Sequence, residues 1–94
     1  MNKEALKTKL SSEGFPFVYE WKDEPNVEYG EHAHKGKTVF YVLHGSIEIY
    51  LGGKTLLFKE GDRFDAPVGM QHSAKVGPDG CDYVVGEEFE DDTQ

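Results

Sequence analysis

The sequence predicts an all-β domain, an antiparallel sandwich or barrel preceded by one short helix. Beyond residue 14 apolar and polar residues alternate with the period of half-buried strands. Glycine (11) and proline (4) break these stretches into short runs. The aromatic complement of 6 Phe, 5 Tyr and 1 Trp supplies core bulk and argues against disorder. Ninety-four residues make a single domain near the lower limit for one unaided core. A bound metal or a second copy of the chain would help stabilise it.

Residues 2–12 form the predicted helix, with Asn2 as its cap and Leu6 and Leu10 on one face. Residues 1–14 are therefore read as helix and lead-in, 15–89 as the β-barrel and 90–94 as an acidic tail. Phe17, Tyr19 and Trp21 alternate with Val18, Glu20 and Lys22 along the first strand. Asp23-Glu24-Pro25-Asn26 turns into a second strand, Val27 to His34, and Lys35-Gly36-Lys37 loops out of it. Thr38 to Leu43 is β-branched and aromatic, and Gly45 ends it. Ile47, Ile49 and Leu51 then run to Gly52-Gly53, a tight hairpin signal. Thr55–Phe58 returns. A short strand follows Gly61-Asp62, and Pro67-Val68-Gly69 turns into His72–Val76. Gly77-Pro78-Asp79-Gly80 is read as a turn before a last strand, Cys81–Phe89. About eight short strands are thus expected. Their core is drawn from Phe17, Tyr19, Trp21, Phe40, Val42, Ile47, Ile49, Leu56, Phe58 and Val84.

Ten basic residues against 18 acidic give a net charge of −8. Glu87, Glu88, Glu90, Asp91 and Asp92 contribute five of those negative charges, leaving −3 for the rest, and are expected to form a solvated end. Without a basic cluster, binding to a phosphate backbone is not expected. No apolar run approaches the length of a membrane span, and no secretory pattern is seen. The single cysteine, Cys81, is expected to be buried and unreactive. The chain reads as cytoplasmic.

Three histidines carry the chemistry. His32 and His34 lie two residues apart, so on a strand they project from one face. His72 follows a Pro-x-Gly turn that can aim a neighbouring strand at them. Imidazole suits zinc, iron, copper and nickel, so the trio points to a metal without naming it. If the strand period holds, Thr38, Phe40 and Val42 share the face of the histidines. Tyr41 and Tyr50 are further candidates to flank a pocket. His44 is expected in an exposed turn, and Arg63 and Asp65 on an outward, salt-bridged face.

These spacings resemble the two motifs of the cupin family. His32-x-His34, three residues, position 38, six residues and Gly45 reproduce the first motif, with Thr38 where the family has Glu and Asn26 where it has a leading Gly. Gly61, Pro67, Gly69 and His72 match the second motif, with Val76 where an Asn often follows. The resemblance implies a double-stranded β-helix (a cupin jelly roll) in which His32, His34 and His72 hold a divalent metal such as Fe, Zn, Mn or Ni. With a neutral residue at 38, the implied shell is three imidazoles plus water or guest, favouring an anionic or chelating small molecule. The resemblance leaves open a dioxygenase- or isomerase-like enzyme, a binding or sensing domain with or without metal, and an empty structural pocket. It also implies pairing into a homodimer, for which the Phe17–Trp21 strand is the natural edge.

Overall fold

Asn2 caps the one helix among the described residues, α1 (Lys3–Ser12), its side-chain oxygen accepting the Ala5 N–H at 3.1 Å. Gly14, at φ +99°, ends it in a conformation that L side chains avoid. The computed structural model describes residues 2–90, so positions 91–94 of the expected acidic tail lie outside the described residues.

Six strands follow among the described residues: β1 (Phe17–Asp23), β2 (Glu28–His32), β3 (Thr38–Leu51), β4 (Lys54–Lys59), β5 (Arg63–Ala66) and β6 (His72–Glu87). All pairings are antiparallel. The fold is mostly β, as expected, but the strands are fewer and two are long. β3 and β6 run through the glycines expected to end them. The register passes from Gly45↔Cys81 to Ile47↔Val76, so residues 77–80 bulge out of the ladder. At the bend a Cβ on Gly45 would lie 2.0 Å from the Gly80 carbonyl oxygen. Turn residues here bend two continuous strands past each other instead of breaking them.

That bend divides the ladders into two layers. Residues 38–45 of β3 and 81–87 of β6 pair with each other and with β5 and β1; residues 47–51 and 72–76 pair with each other and with β4 and β2. This is the two-sheet arrangement of a jelly roll. Val42, Phe64, Tyr83 and Val85 of one layer meet Ile47, Ile49, Ala74 and Val76 of the other in the central core, with Tyr19, Phe40, Leu56 and Phe58 packed against it. On the outer face of the first layer, Leu10 of α1 packs with Val39, Tyr41 and Val84.

Two expectations are corrected. Phe17 and Trp21 are 36% and 42% exposed, because β1 pairs only with β6 and its aromatics lie at the edge of the core. Glu87 is not in the solvated tail: it ends β6 and is fully buried, the Cα partner of Thr38 and of Phe17. Glu88 is exposed and accepts the Lys37 N–H at 2.9 Å. No helix among the described residues is long and apolar enough to cross a membrane.

Candidate metal centre

His32 ends β2 and His72 begins β6, and the two are Cα partners across that ladder. His34 lies just past β2, where Gly69 donates its N–H to the His34 carbonyl at 3.0 Å. The Pro67–Gly69 turn, with Gly69 at φ +75°, therefore joins the segments that carry His34 and His72. The ring centroids are 4.5 Å (His32–His72), 5.0 Å (His34–His72) and 5.2 Å (His32–His34) apart. One nitrogen from each ring lies within 4.8 Å of the others. Three nitrogens around tetrahedral zinc would sit about 3.4 Å apart, so the rings need close only slightly.

Two of the rings are already oriented. Nδ1 of His32 lies 2.7 Å from the Gly30 carbonyl and Nδ1 of His72 lies 3.3 Å from that of Met70. A carbonyl only accepts, so both Nδ1 atoms carry a proton, and in the neutral ring this leaves the lone pair on Nε2, the usual arrangement of a metal-bound imidazole. Burial, reinforced by the neighbouring His32 and His34 rings, lowers the His72 pKa against the opposing Met70 bond. The group is thereby kept neutral, as a ligand must be.

The histidines open onto a cavity between the two layers whose enclosed space is about 50 Å³ and which widens into an open mouth. Its wall is mainly apolar, including Phe40, Ile47, Ile49 and Phe64. Thr38 and Phe40 line it together with His32, His34 and His72. Thr38 is 5% exposed, and its hydroxyl has no hydrogen-bond partner among the described residues. Tyr41 and Tyr50 are placed elsewhere. Tyr41 faces α1, one residue out of phase with Phe40, and receives a hydrogen bond from Arg63 at 2.8 Å; Tyr50 lies on the solvent side of β3, 37% exposed. His44 is exposed, and Arg63 bridges Glu13 and Asp65 on the outer surface.

A second polar group in the same cavity escapes a reading by strand period. Asp23, 8% exposed, accepts hydrogen bonds from Trp21 Nε1 at 3.0 Å, Tyr83 OH at 2.8 Å and Tyr29 OH. All four residues line the cavity. Asp23 sits in a stretch whose composition marks a turn, and Tyr29 lies three residues before His32, the wrong phase for one face. A bulge corrects the phase: Tyr29 pairs with Ala74 and His32 with His72, so β2 takes three steps where β6 takes two. Glycine and a charged residue at positions 30 and 31 were the available signal. Burial, then the Asp23 carboxylate, pushes the Tyr29 hydroxyl up to about 12. Burial together with Cys81 and Asp23 lifts Tyr83 above the usual phenol range.

Residues 19–85 match the cupin domain family. No curated protein matches the chain closely enough in sequence to count as a relative. Among solved structures, an RmlC-like cupin from Shewanella frigidimarina aligns with a TM-score of 0.68 at 23% identity, covering 83% of this chain and 70% of that one. KdgF from Halomonas aligns at 0.66 with 25% identity over 82% of this chain and 72% of its own. The polyketide cyclase RemF from Streptomyces resistomycificus aligns at 0.65 with 29% identity over 77% of this chain, which spans 54% of that protein.

Proposed function

The chain belongs to the cupin family, and from that premise we propose that it binds a divalent metal through His32, His34 and His72 and receives a small anionic or chelating molecule in the cavity beside them. The observation that carries this reading is the convergence of three imidazole nitrogens within 4.8 Å, two of them on rings whose other nitrogen is fixed by a backbone carbonyl. The unpartnered Thr38 hydroxyl, buried in the same cavity, fits a guest or water held next to the metal. A metal held by His32, His34 and His72 would supply Lewis-acid chemistry to an oxygen of the guest. Iron, zinc and nickel suit a donor set of three imidazoles, whereas manganese prefers the oxygen ligands this trio does not supply.

The chain's own residues do the rest. The histidines offer imidazole nitrogens, Thr38 offers a hydrogen bond in place of a fourth charged ligand, and Phe40, Ile47, Ile49 and Phe64 exclude water. The polyketide cyclase among the structural neighbours lends support to an organic guest. A second reading, binding or sensing without turnover, is favoured by one observation: the hydroxyls of Tyr29 and Tyr83 are committed to Asp23 and held protonated, so neither is poised as a base.

Elemental analysis of freshly purified protein tests the metal, with one equivalent per chain expected. His72→Ala is expected to lose it. Thermal unfolding separates ligation from packing: zinc at about 100 times its Kd raises the stability of the wild type by about 2.7 kcal/mol and leaves His72→Ala nearly unmoved. Equal stabilisation of both proteins refutes the site. We also propose pairing of two chains through β1, whose outer edge carries the exposed Phe17 and Trp21; a monomeric mass by light scattering refutes that.

A further inference from the structure

Asp23 is a buried carboxylate whose side-chain hydrogen-bond partners among the described residues, Trp21, Tyr29 and Tyr83, are all neutral. An ionised carboxylate in a wall of low polarity is costly to keep without a counter-charge, even when hydrogen-bonded. The carboxylate lines an open cavity, and its Trp21 partner is 42% exposed. The two phenol O–H bonds point at Asp23, and Trp21 and Cys81 also meet the Tyr29 and Tyr83 hydroxyls, so the ring faces are what remain for a guest. They attract cations and not anions. The adjoining groove beyond Asp23 has the same sign, with Glu24, Asp79 and Asp82 outnumbering Lys22, and His44 at its rim.

We propose that Asp23 and the rings of Trp21, Tyr29 and Tyr83 form a second pole of the cavity that receives an ammonium group. The guest is then bipolar. Its carboxylate end faces the three histidines, its positive end faces Asp23, and a short methylene chain crosses the apolar wall formed by Phe40, Ile47, Ile49 and Val85. An ω-amino acid is the chemical class that meets all three demands. The pole binds without reacting, since both tyrosines stay protonated at neutral pH. Only the carboxylate end of the guest rests on the metal reading; the ammonium end stands on Asp23 alone.

Trp21 is the only tryptophan of the chain, and its indole N–H is bonded to Asp23, so its fluorescence reports this pole directly. In metal-free protein, n-butylammonium chloride is expected to shift the emission saturably, while n-butanol, and sodium chloride at equal ionic strength, do not. In zinc-loaded protein, calorimetry is expected to show 4-aminobutyrate binding at least about tenfold more tightly than pentanoate, its methyl-ended counterpart, as one buried charged hydrogen bond allows. Asp23→Asn is expected to reduce that preference to less than about twofold. Should Asp23→Asn fail to fold, Trp21→Leu at the exposed mouth is expected to cut the preference at least about threefold. The proposal is overturned if butylammonium acts no differently from butanol, or if Asp23→Asn or Trp21→Leu keeps the full preference while only stability falls. If zinc fails to bind, the histidine reading fails separately, and the butylammonium titration still decides the Asp23 pole.

Discussion

Thr38→Val removes one hydroxyl and keeps the shape of the side chain. In the structure that hydroxyl is buried, lines the cavity and has no hydrogen-bond partner among the described residues. A buried polar group left without a partner costs on the order of 1–3 kcal/mol. The metal-free variant is therefore expected to be more stable than the wild type, by about 1 kcal/mol at the lower end of that range. For a domain of this length 1 kcal/mol corresponds to a Tm rise of roughly 4–8 °C. Urea unfolding in excess EDTA reads the effect as a higher midpoint at unchanged slope. With zinc and a small carboxylate such as acetate present, the hydroxyl gains its partner, and the order is expected to reverse for binding. Acetate should bind zinc-loaded Thr38→Val about five- to tenfold more weakly, the worth of one hydrogen bond. Thr38→Ser, which keeps the hydroxyl, should retain most of the acetate affinity. A metal-free Thr38→Val protein less stable than the wild type would refute the argument, because the hydroxyl would then already be satisfied inside the chain.

Three further outcomes follow from the packing and the charges. Leu10→Ala empties a fully buried contact between α1 and Val39, Tyr41 and Val84, and should cost about 2–4 kcal/mol in denaturant unfolding. Burial pushes the Cys81 thiol up to about 12. At pH 8 its labelling by iodoacetamide should be slowed roughly a thousandfold relative to an ordinary thiol, recovering on unfolding. Arg63, then Lys9, holds the Glu13 carboxyl near 2. A depressed carboxylate stabilises the fold above its ordinary value of about 4.5, and that contribution fades as the pH falls towards 2. Glu13→Gln should thus lower Tm slightly at pH 7, since the pair is solvent-screened, and the gap should close by pH 2.

The sequence carries the metal site more legibly than the cavity's other polar group. Three histidines can be placed from residue spacing because the Pro67–Gly69 turn and the strand period are local properties. The six-strand count is not local. Gly45 and Gly77–Gly80 carry turn chemistry, and only the close crossing of β3 and β6 makes them a bend within continuous strands. Burial of Glu87 was hidden by its acidic neighbours, since composition cannot tell the last residue of a strand from the first of a tail. Trp21 looked like core because its period is right, yet β1 is an edge. Asp23 and Tyr29 needed two facts absent from any period: a strand that continues one residue into a turn-like stretch, and an extra residue in β2.

That extra residue is what lets Tyr29 and His32 share a face although three positions separate them. Side chains on a strand swap faces with each residue of slip, so β2 laid flat at its present length, with His32 opposite His72, would turn Tyr29 outward. Deleting Gly30 or Glu31 does the opposite: two steps then face two, Tyr29 stays opposite Ala74 and His32 opposite His72, and both keep to the cavity. A chain one residue shorter at this point would therefore keep both ends of its pocket, while a change that flattens the bulge without shortening the chain would keep the histidines and lose Tyr29.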